Sequence, residues 1–284
     1  MSIGSDFERF LEQRKKVCSA EFLGLPDKFQ PHVPLTDEHG PAGFIHRDNV
    51  MIELCVPPQD TGEGLATAVS RVLAAAEAWL GEAAPKVRIG PKASAFLGRA
   101  ELNTPAAKEL GCDIDYVSRD MDSVPRDALN AGILGQERYA GGHLHFSWPD
   151  EGIPAWVGAS LCDLFIGLPE AEYLNPQRAQ FYGAGSLHRP TQYPNGTRGV
   201  EYRPLDCYWT TTKAHLGRVA KRADAVHKVL TEGSIGLIRG LVDLWQPLDA
   251  SRNTLVNMWK ANIGRDVQGA ATDLFRKEFG YDPV

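Results

Sequence analysis

The chain is short of several things that would assign it quickly. Its five cysteines, Cys18, Cys55, Cys112, Cys162 and Cys207, lie far apart with no C-x-x-C. That excludes a disulfide framework or a sequence-local zinc knuckle and predicts free thiols in a reducing compartment. Basic excess is also missing: 30 Lys and Arg stand against 36 Asp and Glu, a net charge of -6. Strong non-specific nucleic-acid binding, which needs a basic footprint, is not expected. No apolar run approaches the about 18 residues of a membrane span, and MSIGSDFERFLEQRKK has no apolar stretch like that of a secretory signal. A cytoplasmic location, with no membrane partner, is the expectation. There is no GxxxxGK[ST], no GxGxxG after a strand and no HExxH, so P-loop, Rossmann and zincin sites are unsupported. Internal repeats and low-complexity tracts are absent.

What remains is ordinary globular material: 284 residues, 43% apolar and 23% charged, enough for one large domain or two small ones. Residues 50–58, VMIELCVPP, read as a strand ended by its two prolines. Pro26, Pro31, Pro34 and Pro41 predict irregular structure over 25–43. Leu65, Ala68, Val69, Val72, Leu73, Ala76, Trp79 and Leu80 repeat at three and four residues, predicting an amphipathic helix over 63–81 with Gly81 as its cap. KVRIG and CDIDYV read as strands, 155–167 as a helix that stops before Pro169, and 199–209 as a strand. Three helical segments follow. Strands first and helices after favour an α+β fold over an alternating α/β one.

The polar residues that stand out come in x-spaced pairs within strand-like segments: Asp6-x-Glu8, Asp113-x-Asp115, His143-x-His145 and Glu201-x-Arg203, with Glu53 alone among apolar neighbours. In a strand, residues two apart share a face, so each pair aims both side chains at one place. Each also has a plain structural explanation. Asp6 and Glu8 suit a solvated edge, Glu53 an ion pair with an arginine such as Arg47, Glu201 and Arg203 a cross-strand pair, and the histidines ordinary hydrogen bonds. The shared geometry of the series is what suggests one sheet face lined with ligands. Carboxylates with a histidine suit Mg²⁺, or Mn²⁺ as the alternative, and zinc would call for a third close His or Cys. Arg189, after the glycine-rich YGAGSLHRP, and Arg198 and Arg203 beyond it add the cations that stabilise a transferring phosphoryl group. Gly183 and Gly185 fit a plain surface turn as well as a flexible loop placing Arg189.

Six stretches, IGSDFERF, DNVMIELCVPP, LGCDIDYV, ERYAGGHLHFSW, CDLFIGLP and YGAGSLHRPTQYPNGTRGVEYRPLDCYW, resemble in their order the motifs of the phage-type COOH–NH2 ligases (amidoligases) of the glutamine synthetase and glutamate–cysteine ligase superfamily. The resemblance spans about residues 3–212, and VEYRPLD also looks like the E-x-R-x-x-D strand of glutamine synthetases. It implies a glutamine synthetase-like catalytic core over 1–212, a curved antiparallel sheet holding ATP and Mg²⁺ on its concave face, and a helical extension over 213–284 packed on that core. It implies metal ligation by Asp6, Glu8, Glu53, His143 and Glu201. It places His145 near the nucleotide, Arg189 and Arg203 on the phosphates and Arg198 beside them, with Glu53, Arg189 and Arg203 serving the chemistry. No role is assigned to Asp113 and Asp115. In the family the first motif usually reads D-P-E and an apolar residue. Here Phe7 and Arg9 fill the second and fourth places, while the spacing of the acids survives.

The implied reaction is ATP-dependent amide formation between a small-molecule or peptide carboxylate and an amine through an acyl phosphate. A homo-oligomer is compatible with this, as is the host cytoplasm if the chain is phage-encoded. Three alternatives remain open. They are a guanidino kinase on the same fold, a non-catalytic phage accessory binding module, and an unrelated metal hydrolase using His143 and His145 without ATP.

Overall fold

The structure, a computed structural model, describes residues 2–108, 115–117, 122–124, 135–149, 152–193, 196–248 and 254–283. Its strands in the first half are β1 (Ser2–Arg9), β2 (Leu11–Gln13), β3 (Lys16–Cys18), β4 (Val33–Asp37), β5 (Gly40–Asp48), β6 (Met51–Gln59), β7 (Val87–Ile89) and β8 (Ser94–Phe96). Those in the second are β9 (Asp115–Val117), β10 (Asp122–Val124), β11 (Glu137–Tyr139), β12 (Gly142–Trp148), β13 (His188–Gln192) and β14 (Arg198–Tyr202). Nine of them form one antiparallel sheet in the order β10-β9-β13-β14-β12-β1-β6-β5-β4. β1 is central, between β12 and β6.

Strand alternation gives this sheet two unlike faces. Ile3, Phe7, Ile45, Leu54, Leu144, Phe146, Val200 and Tyr202 are buried on one. Helices cover that face. Gly62–Ala83 buries Leu65, Val69, Val72, Ala76 and Leu80, and Lys213–Glu232 buries Leu216, Val219, Ala223, Val226 and Leu230. With Ala155–Cys162 they share one hydrophobic core with the sheet. Burial of this apolar face, at roughly 25 cal/mol per Å², leaves the other face free to carry polar groups. Among the described residues no helix is long and apolar enough to cross a membrane.

Several local expectations are corrected. The 25–43 segment is not wholly irregular: Pro34 lies within β4 and Pro41 within β5. β6 runs through Pro57 and Pro58 to Gln59. The register against β1 shifts there, from Ser5↔Val56 to Ile3↔Gln59. The prolines thus occupy a bulge, where no ladder N–H is required of them. The first long helix extends past Gly81 to Ala83. Residues 155–167 do not form one α-helix that stops before Pro169. Ala155–Cys162 passes into a π turn, Asp163–Gly167, and the helical path continues through Leu168–Glu170. The strand expected over 199–209 ends at Tyr202, and Cys207–Thr210 is a 3-10 turn. Arg9, unusual in its place, is buried and donates to the Thr210 hydroxyl (3.0 Å), tying β1 to that turn.

Candidate active site

The sheet register assembles the polar face in rows. Arg189 lies opposite Glu201, Glu201 opposite His145 and His145 opposite Gly4. One step along, His143 lies opposite Asp6 and Asp6 opposite Cys55. The next row is Glu8, Glu53 and His46. Residues far apart in sequence meet because each strand contributes alternate positions to this face. A cavity of about 500 Å³ opens beside it, lined by Ser2, Gly4, Asp6, Cys55, His145 and Tyr193 among others.

Asp6 is the hub. One of its oxygens lies 3.0 Å from His143 Nδ1 and the other 3.1 Å from His145 Nε2. His143 Nδ1 is 3.5 Å from Glu201. Arg203 pairs with Glu201, and Arg189 approaches the same carboxylate at 3.7 Å. Ligand atoms of Asp6, His145 and Glu201 lie within 4.8 Å of one another, and so do those of Asp6, Glu53 and His143. Both groups can hold a divalent cation, and Asp6 belongs to both. Glu8 stands aside from them: its carboxylate accepts from the Gly141 N–H at 2.5 Å. Arg198 is exposed, with the strand parity of Val200 and Tyr202 rather than of Glu201, so the structure does not bring it into the cluster. Asp113 lies outside the described residues, and of Asp115 only its place in β9 is described.

The electrostatics divide the site. Burial raises the Asp6 pKa, but His145 and His143 outweigh it and hold the carboxyl well below its usual value. Burial likewise opposes ionisation of Glu201, and Arg203 wins, so its pKa is lowered. His145 gains from Asp6 more than burial takes away and rises to about 9. His143 is lowered by burial and by Arg203. Toward β6 and β5 the balance reverses. Glu8 is pushed up to about 8 by burial and by Asp48 and Glu53. Glu53 is raised well above its usual value by burial and by Asp6, Asp48 and Glu201. Burial also raises Asp48. This half carries more carboxylate than its own cations offset.

Close packing explains the two glycines before the histidines. A Cβ on Gly141 would fall 2.4 Å from His143 Nε2, and one on Gly142 2.6 Å from the Asp206 carbonyl. They make room for the imidazole and for a neighbouring backbone. YGAGSLHRP is packed rather than a plain surface turn. Gly183 and Gly185 are buried, and Ser186, at φ 56°, donates to Asp163 at 2.8 Å. Arg178 is a buried positioning residue. Its guanidinium donates to the carbonyls of Pro204 (2.7 Å) and Arg203 (3.2 Å), fixing the backbone that presents Arg203.

Sequence reading missed His46 and Asp48. His46 Nε2 is 2.7 Å from Glu53, which is therefore not paired with Arg47. Arg47 reaches Asp27 and Glu21 instead. The parity of β5 opposite Glu53 was the available signal. Lys28, 3.8 Å from Asp48, and His32 come from the four-proline segment, where no pattern marks them.

No family model and no curated protein matches this chain. Among solved structures, one similar chain belongs to the complex between the prokaryotic ubiquitin-like protein Pup and its ligase PafA. It is 9% identical, with a TM-score of 0.35, over 98% of this chain and 66% of that chain. This chain thus spans less than two thirds of that relative, and so slight a likeness carries no argument about function.

Proposed function

We propose that this chain is an ATP- and Mg²⁺-dependent carboxylate–amine ligase with a glutamine synthetase-like catalytic core over 1–212 and a helical extension over 213–284. The observation that carries the reading is the electrical division of one sheet face. Surplus carboxylates, Glu8, Glu53 and Asp48, crowd one side of Asp6, and the guanidinium groups of Arg189 and Arg203 stand on the other. Such a site suits a polyphosphate chelated to a divalent cation at one end and gripped by arginines at the other. The donor set also fits the ion. Oxygen-rich ligands with one imidazole suit Mg²⁺ or Mn²⁺, and the crowded acids gain most from a positive charge.

In this reading Asp6, Glu53 and His143, with Glu201, hold the metal, and Glu8 supports it. When bound, Mg²⁺ neutralises charge as the γ-phosphoryl passes to the carboxylate substrate. Arg203, anchored through Arg178, grips the phosphate, and Arg189 reaches it from β13. His145, protonated beside Asp6, lines the cavity and donates to the nucleotide. The amine, having lost a proton, then attacks the acyl phosphate: the C–N bond forms, the C–O bond to phosphate breaks and inorganic phosphate leaves.

The test is ADP release from ATP and Mg²⁺ in the presence of pooled carboxylates and amines. Release that requires both substrate classes supports the ligase. Phosphorylation of a guanidino compound with no carboxylate would move the assignment to a kinase on the same fold. Metal-dependent hydrolysis without nucleotide would overturn it, as would unchanged turnover in Glu53→Ala.

A further inference from the structure

A second constellation lies beyond the acidic cluster. His32, from the four-proline segment, His46 on β5 and Cys55 on β6 converge. The two imidazole rings stack at 4.0 Å. His46 Nδ1 lies 3.7 Å and His32 Nδ1 4.0 Å from Cys55 Sγ. The far nitrogens are both engaged: His46 Nε2 with Glu53 at 2.7 Å and His32 Nε2 with the Lys28 carbonyl at 3.2 Å. A carbonyl only accepts, so His32 carries its proton on Nε2. His46 Nε2 is held by Glu53, which leaves Nδ1 as its nitrogen on the sulfur side. In both residues Nδ1 is the nitrogen nearest the Cys55 sulfur.

We propose that His32, His46 and Cys55 form a soft transition-metal site, for Zn²⁺ as the class-typical ion, with a fourth position open toward the cavity. The Zn–S and Zn–N lengths of a tetrahedral site put sulfur and nitrogen about 3.6 Å apart, close to the separations here. Outer partners of this kind, a carboxylate and a carbonyl on the non-ligating nitrogens, are what fix metal-binding histidines. Cys55 also lines the cavity, which supplies an entry path. One thiolate and two neutral imidazoles select a softer ion than the carboxylates next door. Binding breaks the Cys55 S–H bond and forms the metal–sulfur bond, and the proton leaves to solvent.

The reduced, chelator-treated full-length chain is titrated with Co²⁺ and its near-ultraviolet absorption recorded, and zinc content is then measured after Zn²⁺ loading. A thiolate-to-cobalt charge-transfer band that saturates at one equivalent is expected, any ion held by the neighbouring carboxylates giving no such band. Loss of an outer partner alone costs about 10- to 100-fold in affinity, so His32→Gln is expected to weaken Zn²⁺ binding at least about 10-fold. Cys55→Ser should abolish the band, and Cys18→Ser should leave it intact. Absence of the band, its survival in Cys55→Ser, or undiminished Zn²⁺ affinity in His32→Gln overturns the proposal. Should Cys55→Ser fail to fold, His32→Gln, at a half-exposed position, decides alone. Mg²⁺ produces no thiolate band, so this readout is independent of the ligase assignment.

Discussion

Two sets of buried carboxylates in this chain are treated in opposite ways. Asp163 and Glu170, on the helical side, are fully supplied with partners. Asp163 accepts from Ser186 and Trp245 at 2.8 Å each and from Tyr202 at 2.7 Å. Glu170 meets Arg218 at 3.1 Å, Arg222 at 3.0 Å and the Tyr208 hydroxyl at 2.5 Å. Glu8, Glu53 and Asp48, on the open face of the sheet, meet the Gly141 N–H, His46 and Lys28 respectively and also crowd one another. A buried acid with fixed donors ties elements together. A group of acids that raise each other's pKa is costly in the empty protein, and a bound cation would offset that cost.

The sharpest break of the comparison is Glu170→Ala. It leaves two arginines and a buried hydroxyl without their acceptor, and is expected to cost about 3–5 kcal/mol in a denaturant titration, with turnover per folded molecule unchanged. Arg189→Ala, at a more exposed guanidinium 3.7 Å from Glu201, should do the reverse: ADP release falls about 100- to 1000-fold while the unfolding midpoint moves little. An equal loss of stability in both would erase the distinction.

Acid titration sharpens it further. Burial lifts the Asp163 pKa from 3.8 to about 6, against its hydrogen bonds. Between those values the folded chain keeps a proton that the unfolded chain has released. Stability therefore falls as pH rises from about 4 to about 6, by up to about 1.4 kcal/mol per unit. Asp163→Asn should flatten that window, as read by urea unfolding at several pH values. The smallest effect on stability is expected at Glu53→Gln. The amide keeps a partner for His46 and cannot ionise among Asp6, Asp48 and Glu201, so the metal-free protein should gain about 0.5–2 kcal/mol while turnover is lost. A destabilised Glu53→Gln would mean that the open face is as well compensated as the helical one.

The pairing of Asp6 with Glu8, of His143 with His145 and of Glu201 with Arg203 was legible because strand parity is a local property. The long amphipathic helix was legible for the same reason. His46 escaped notice because its significance depends on lying opposite Glu53, a matter of β5–β6 register. Prolines misled in three strands, β4, β5 and β6. A proline forbids a ladder donor, and an edge strand or a bulge can do without one. Arg198 misled through proximity in sequence: one residue of parity sends it to the other face.

The sequence by itself determined the α+β arrangement, the alternation that gives each strand a polar side, and the kinds of donor available. Only the tertiary structure decided which donors meet. It made Asp6 the shared member of two groups, sent the guanidiniums to one side and the surplus acids to the other, and brought His32 from the four-proline segment to Cys55. The reason is physical: periodicity fixes which way a side chain points, but distances between strands follow from register and sheet order, set by burial of the opposite, apolar face.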